Sequence, residues 1–195
     1  MGELLSHRAE PRAFLPLGLN TVRSVGPLAF KSELARDYAC LLDLDDAVQT
    51  WACSPIFRNA DCEQFTADFE VNYGASIEIV TIENPGQRLP SWLPQRIHGL
   101  GNRYRRVDRS AIPPVRLRNA KDLLQYARVT VSLSDRVRLL STLDEQGSLS
   151  LADCQSIYMT ARAVPVVASL FLHRFIVFDD IDEHLLGPDS RVRRR

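Results

Sequence analysis

In the first half of the chain, apolar and polar residues follow two different repeats, one typical of a helix and one typical of a strand. Residues 32–44 repeat apolar positions at helical spacing, and Ser32 is a typical N-cap because its hydroxyl can accept a hydrogen bond from a free first-turn N–H. Residues 48–53 have the pattern of a short strand, and residues 65–73 alternate apolar and polar side chains, which is typical of a half-buried strand. Gly74 then begins a turn, so residues 76–82 are predicted to return antiparallel.

The second half of the chain has mostly helical patterns. A loop at 85–90 is followed by a predicted helix at 91–100 and a further strand at 104–108. Residues 112–115 contain two consecutive prolines, which stop both helix and sheet and predict a linker. Beyond this linker the pattern predicts helices at 119–127, 134–147, 149–154 and 163–174, then a strand at 175–178. Six apolar residues are predicted to form one small core there: Leu139, Leu140, Leu143, Val167, Leu170 and Phe171.

These elements divide the chain into an irregular arm at 1–25, an α/β domain at 26–112 and a module at 117–195. Three helices and a strand in this order suit a winged helix-turn-helix module. Its third helix, however, is nearly all apolar, which disfavours direct base readout and favours contact with another protein. The run at 191–195 is a basic tail, for which phosphate contact and a disordered solubilising role are equal alternatives.

The formal net charge is zero, but the charge is unevenly spread along the chain. Residues 1–84 carry six basic against thirteen acidic residues, whereas residues 85–142 carry twelve basic against three acidic. A basic block of this kind suits contact with phosphate, although the preference for arginine over lysine is equally explained by a GC-rich genome. The candidate phosphate contacts are Arg103, Arg105, Arg106, Arg118 and Lys121.

Four short runs, in and beside the predicted helix and strands, have the spacing of a known sequence motif. They are Ser32-Glu33-Leu34-Ala35-Arg36-Asp37-Tyr38, Ser54-Pro55, Ala67-Asp68-Phe69 and Ile82-Glu83-Asn84-Pro85. This frame resembles the core of the PD-(D/E)xK nucleases, and most closely the TnsA family of transposon-end endonucleases. The resemblance covers roughly residues 20–190. It implies an α/β restriction-endonuclease-like N-terminal domain followed by a small winged-helix-like α(+β) C-terminal module.

The resemblance places Asp68 on the family's metal-binding aspartate. Such nucleases hold Mg²⁺ between carboxylates and a phosphate oxygen, while a lysine orients the attacking water. Here Ala35 stands at the position of the helix glutamate, Ile82 at that of the strand acid, Asn84 at that of the lysine and Ser54 at that of a glutamine.

Glu33 and Glu83 are the acidic residues nearest to the two replaced positions. Glu33 lies two residues before Ala35, about 200° around a helix, and is predicted to point elsewhere. Glu83 neighbours Ile82 on a strand and is predicted to face the opposite side of the sheet, unless a local bulge turns it. Asp68, Glu33, Glu83 and Asn84 are therefore the candidate catalytic residues, and Asp68 is the candidate metal ligand.

The resemblance implies a subunit of a heteromeric transposition system that acts at DNA ends beside a DDE-type transposase and an ATPase regulator. Mg²⁺ is expected only if the protein is active, and the ligand count predicts little or no metal-dependent cleavage. The alternatives are a non-catalytic scaffold that binds DNA or a partner, and a winged-helix regulator with an unrelated N-terminal domain. No signal peptide and no apolar run of about 18 residues is apparent, so a cytoplasmic protein without a membrane role is expected. The four cysteines fit no zinc pattern.

Overall fold

The computed structural model describes residues 19–84, 86–158 and 162–195, so most of the predicted arm at 1–25 and Pro85 of the predicted loop lie outside it. Over these residues the chain is a mixed α/β fold with six α-helices. The helices are α1 (Glu33–Leu44), α2 (Leu93–Gly99), α3 (Pro114–Leu124), α4 (Leu133–Gln146), α5 (Leu151–Ile157) and α6 (Ala163–Leu172). The strands are β1 (Thr50–Cys53), β2 (Ile56–Arg58), β3 (Gln64–Thr66), β4 (Phe69–Asn72), β5 (Ile77–Ile82), β6 (Arg103–Val107), β7 (Ser148–Ser150), β8 (Ile176–Phe178) and β9 (Arg191–Arg194).

The main sheet has four strands in the order β1-β4-β5-β6. The pairs β1–β4 and β4–β5 are antiparallel, as predicted for residues 76–82, whereas β6 runs parallel to β5 after the intervening helix α2. One face packs on α1 and α3 through buried side chains such as Phe69 and Val80. The other face packs on α2, where Ile79 meets Leu93 and Ile97.

The predicted single strand at 65–73 is wrong, because the chain changes partner at Ala67 and Asp68. Strand β3 pairs with β2 in a separate hairpin, and β4 pairs with β1 and β5. At the junction the Ala67 N–H donates to the carbonyl of Pro55 at 2.9 Å, and the Asp68 N–H donates to the carbonyl of Val80 at 3.0 Å. The interruption places Asp68 where two strand pairs diverge.

Helix α1 forms as its sequence predicts. The Ser32 hydroxyl accepts from the Ala35 N–H at 3.1 Å. The apolar face of α1 covers an aromatic cluster in which the Phe69 ring lies 5.7–6.2 Å from the rings of Trp51, Tyr38 and Phe30. These contacts fix the start of α1, and with it Lys31, against the sheet.

The C-terminal part packs α4, α5 and α6 against a sheet of order β7-β9-β8. The predicted stop at Gly147 is present, with φ of 79°, and Ser150 caps α5 in a capping box with Asp153. Strand β7 was not predicted, and the alternative of a disordered tail at 191–195 is wrong because β9 is the central strand of this sheet. Phosphate contact by its arginines stays a prediction. Val192 anchors it, since this side chain is fully buried opposite Leu149 and Phe178.

The predicted linker at 112–115 ends in a helix. Helix α3 begins at Pro114, because a proline in the first turn gives up an N–H that has no partner there. A single apolar core continues from the main sheet into the C-terminal helices. Of the six predicted core residues Leu139, Leu143, Val167 and Leu170 are buried, whereas Leu140 and Phe171 pack against the core only partly buried. In the part of the chain that the structure describes, no helix is long and apolar enough to cross a membrane.

Candidate functional site

Asp68 is a buried carboxylate at the junction of β3 and β4, and its side chain is only 2% exposed. One oxygen, Oδ2, accepts a hydrogen bond from the Ile82 N–H at 2.8 Å. The other, Oδ1, has no hydrogen-bond partner and faces the ammonium group of Lys31 at 3.7 Å. Burial raises the pKa of Asp68, and the Lys31 charge opposes that rise. The pair is therefore an ion pair rather than a hydrogen bond.

Lys31 is the group that the sequence analysis missed. Its Nζ donates to the carbonyl oxygen of Ala67 at 3.1 Å and to that of Thr66. It also lies over the ring of Phe65, 5.6 Å from the centroid. Burial lowers the pKa of Lys31, and Asp68 opposes this effect. The side chain reaches this position because Lys31 directly precedes the Ser32 cap and follows the buried ring of Phe30.

The three other candidate catalytic residues are engaged elsewhere. Glu33 has a side chain 76% exposed and pairs with Arg36 at 3.9 Å. Glu83 accepts a hydrogen bond from the guanidinium of Arg106. Asn84 donates to the carbonyl of Ile82 at 3.3 Å and to the Gln87 side chain at 3.2 Å. The structure thus assembles no second acid and no lysine of the resembled motif around Asp68.

The residues around Asp68 do not fit Mg²⁺. This ion needs near-ideal octahedral oxygen coordination, usually with one or two carboxylates. Asp68 offers one free oxygen, and the two nearby carbonyl oxygens already accept from Lys31. Across residues 19–84, 86–158 and 162–195, no three His, Cys, Asp or Glu side chains are grouped so that they can hold a metal ion.

Asp43 is a second buried carboxylate, and unlike Asp68 it accepts hydrogen bonds at both of its oxygens. It accepts from the N–H groups of Val22 at 3.0 Å and Arg23 at 3.1 Å, and from the Trp51 indole at 2.8 Å. Burial raises the pKa of Asp43, and these donors counteract the rise. With three neutral donors and a completely buried side chain, Asp43 holds the segment before α1 against the sheet.

The other candidate site is the exposed strand β6. It is an edge strand, paired on one side only, with β5. Arg105 lies 3.9 Å from Glu78, and Arg106 pairs with Glu83, while both arginine side chains stay about half exposed. Arg103 has no ion-pair partner within the described residues. This edge therefore presents three guanidinium groups to solvent on strand β6.

The two remaining phosphate candidates lie on α3 and are held by carboxylates. Lys121 is 2.6 Å from Asp37 of α1, and Arg118 is 3.2 Å from Asp122 one turn further on. Their first role is therefore to link α3 to α1 and to stabilise α3 itself. The structure separates them from the candidates on β6 by placing them on a different element.

Helix α6, which the sequence analysis predicts as the third helix of a winged-helix-like module, is buried on most sides. Seven of its ten residues are buried, and the Ser169 hydroxyl donates to the carbonyl of Val129 at 2.9 Å. Arg174, just beyond it, donates to the carbonyls of Asp45 and Val48. This burial supports the expectation that α6 does not read base edges.

A cleft of about 490 Å³ lies apart from both candidate sites, between α3, α5 and α6. It is lined mainly by apolar side chains such as Leu123, Val167 and Phe178, and it contains neither Asp68 nor any residue of β6. Size alone therefore does not identify the functional site in this molecule.

Comparison with known proteins gives no family assignment: no family model matches the chain, and no curated protein is similar to it. The case for a function therefore rests on the fold and on the side chains described above.

Proposed function

We propose that this protein is a TnsA-like subunit of a heteromeric DNA transposition system that binds duplex DNA but does not cleave it by itself. The observation that carries the proposal is the set of three exposed arginines on the edge strand β6, with Arg103 and Arg105 on one face of the sheet and Arg106 on the other. An arginine fork matches phosphate geometry and remains charged at every physiological pH. Contacts of this kind dominate DNA affinity and are independent of base sequence.

The element order supports this proposal. Helix α1, three antiparallel strands of the main sheet, helix α2 and the parallel strand β6 follow each other in the order that the resemblance implies. In the C-terminal part, three helices and a hairpin of β8 and β9 support the expected winged-helix-like module. The core that continues through both parts favours their acting as one unit over a regulator with an unrelated N-terminal domain.

The Asp68 site supports binding without cleavage. Metal-dependent hydrolysis needs a cation that stabilises the charge developing on phosphate. Here the only free oxygen of Asp68 faces Lys31, and Ala35 and Ile82 supply no oxygen in the positions of the missing acids. Removing one electrostatic stabiliser typically costs about two to three orders of magnitude in rate, so the loss of several leaves little activity.

The resemblance supplies the remaining parts of the proposal. A DDE-type transposase and an ATPase regulator are its proposed partners, and the cytoplasm is its proposed location. The buried α6 favours protein contact over base readout as the task of the C-terminal module. In such a system the DNA cleavage would come from a partner, and this subunit would position the DNA.

Two assays on the full-length chain test the proposal. Fluorescence anisotropy with a labelled duplex should show binding in EDTA, because the β6 arginines need no metal. Supercoiled plasmid incubated with Mg²⁺ or Mn²⁺ should remain uncut both by the wild type and by Asp68→Asn, a variant that preserves the shape of the site. Metal-dependent nicking that Asp68→Asn abolishes would contradict the proposal, and so would a failure to bind duplex DNA in EDTA.

A further inference from the structure

We propose that the ammonium group of Lys31 is the resident cation of the Asp68 site and occupies the place that a divalent ion would take there. The site would then be complete without any metal, whether or not β6 binds DNA.

Three oxygen atoms surround the Lys31 ammonium group as they would surround a bound cation. They are the carbonyl oxygens of Thr66 and Ala67 and the Oδ1 atom of Asp68 at 3.7 Å. Carbonyl and carboxylate oxygens are the ligands that Ca²⁺ and other hard cations accept in proteins. The ring of Phe65 closes a further side, with its centroid 5.6 Å from Nζ.

The Asp68 carboxylate depends on this cation more than Asp43 depends on any charge. Three N–H groups donate to Asp43, whereas Asp68 receives one N–H and leaves Oδ1 without a donor. A carboxylate oxygen that is buried without a donor is unfavourable unless a positive charge lies close to it. Lys31 supplies that charge from within the chain, so neither dilution nor a chelator can remove it.

The chain contains only one other lysine, Lys121, which offers a matched control. Lys121 also faces an aspartate, Asp37, at 2.6 Å, but 40% of its side chain is exposed, against 18% for Lys31. The two lysines therefore form the same kind of pair in different surroundings. A resident cation must be shielded from solvent, and a surface ion pair need not be.

The first experiment uses the wild-type protein. Brief acetylation with an amine-reactive reagent, followed by mass spectrometry of peptides, should modify Lys121 and leave Lys31 at least about tenfold less modified. The thermal midpoint should be the same in EDTA and in millimolar Mg²⁺, Mn²⁺ or Ca²⁺. Equal modification of the two lysines, or a midpoint raised by a divalent ion, would overturn the inference.

The second experiment replaces the resident cation. Lys31→Glu places two carboxylates among the same carbonyl oxygens, so the midpoint in EDTA should fall by about 6–20 °C and Ca²⁺ should recover about 3–6 °C of that loss. Lys121→Glu should lose less and show no comparable response to Ca²⁺. A Lys31→Glu protein that melts like the wild type, or that ignores Ca²⁺, would overturn the inference.

Two further variants, Lys31→Met and Lys31→Met/Asp68→Asn, test the inference if Lys31→Glu does not fold. Lys31→Met leaves Asp68 without its cation, while the double variant Lys31→Met/Asp68→Asn removes both charges together. The double variant should melt above Lys31→Met, because it no longer buries an uncompensated carboxylate. A double variant that melts below Lys31→Met would show that the two residues act independently and would overturn the inference.

Discussion

Two strands of this protein carry three arginines each, and they occupy different surroundings. Strand β6 contributes Arg103, Arg105 and Arg106 at the open edge of the main sheet. Strand β9 contributes Arg191, Arg193 and Arg194 at the centre of the C-terminal sheet. Similar runs of sequence therefore occupy different positions within their sheets and meet different neighbours.

The arginines of β9 are occupied by acidic and polar groups of the C-terminal part. Arg193 pairs with Asp179 at 2.9 Å, Arg194 pairs with Asp144, and Arg191 donates to the Ser148 hydroxyl at 2.6 Å. The turn between β8 and β9, residues 179–190, carries five acidic residues and no lysine or arginine. This turn therefore adds negative charge next to β9 in the sequence, and its Asp179 pairs with Arg193.

The ion pairs of β6 are about as exposed as those of β9, but Arg103, unlike Arg191, has no side-chain partner within the described residues. The nearest carboxylate to Arg105 is 3.9 Å away, and the Arg106–Glu83 pair is exposed on both sides. Exposed ion pairs contribute about 0–1 kcal/mol to stability, so a phosphate can displace them at little cost. We expect the partners of each arginine, rather than the number of arginines, to decide whether a basic run binds DNA.

The largest effect that we predict concerns the core that holds β9 in place. Leu139→Ala removes a fully buried side chain of α4 and should lower the free energy of unfolding by about 2–5 kcal/mol. Leu133→Ala on the same helix is the control, because that leucine is 67% exposed and should change stability little. Urea denaturation measures both variants. If Leu139→Ala is as stable as Leu133→Ala, then β9 is not supported by a packed core and the comparison with β6 fails.

Local sequence signals predicted the elements whose causes are local. The Ser32 cap, the Gly147 stop and the Ser150 cap each act within one helical turn, and the structure has all three. Strand β9 escaped prediction because one apolar residue, Val192, anchors it among arginines, and the partners of β9 lie 14 to 45 residues away in sequence. Apolar and polar side chains alternate along residues 65–73 as they would in one strand. This pattern gave no sign that the chain changes its strand partner at Ala67 and Asp68.

The candidate site was predictable only in part for the same reason. The resemblance to the nuclease motif pointed to Asp68 and to the lack of acids at Ala35 and Ile82. Lys31 lies 37 residues from Asp68, outside any motif, and only the meeting of α1 with the β3–β4 junction brings its ammonium group to the carboxylate. The arginines of β6 were predicted as phosphate contacts, but the partners that distinguish them from those of β9 depend on tertiary structure.

A smaller effect is expected at the helix cap beside β7. Ser150→Ala removes the hydroxyl that accepts from the Asp153 N–H at 3.0 Å, and should cost about 0.5–2 kcal/mol of stability. The control is Ser156→Ala in the same helix, because the Ser156 hydroxyl does not cap a free N–H. The loss should appear in thermal and urea denaturation. Equal midpoints for the two variants would show that the cap does not position β7 against β9.

The capping box of Ser150 and Asp153 predicts that the stability of the protein depends on pH. Hydrogen bonds from the Ser150 hydroxyl and N–H lower the pKa of Asp153 below its ordinary value. The stabilisation is therefore present above the ordinary pKa of an aspartate and is lost as the pH falls through the lowered value. Stability curves from pH 7 to pH 2 should converge for wild type and Asp153→Asn at the acid end. Curves that stay parallel would contradict this role for Asp153.

The smallest effect comes from removing the acidic partners of β9. Asp144→Asn/Asp179→Asn frees Arg194 and Arg193, and should change stability by no more than about 1 kcal/mol per pair. Duplex affinity should increase, by less than about tenfold, because the acidic turn keeps its other carboxylates. Asp182→Asn, which removes the partner of Arg116 outside β9, is the control. No gain in the double variant beyond that of the control would show that pairing with these carboxylates does not limit DNA binding at β9.

The most direct test of the account is the salt dependence of duplex binding for two matched triple variants. One carries Arg103→Gln, Arg105→Gln and Arg106→Gln on β6, and the other carries Arg191→Gln, Arg193→Gln and Arg194→Gln on β9. The slope of log affinity against log salt, measured from about 50 to 200 mM, should flatten by about 0.9 for each arginine that no longer neutralises a phosphate. We predict a flattening of up to about 2.7 for the β6 variant and none for the β9 variant. An unchanged slope in the β6 variant, or equal flattening in both, would contradict the account.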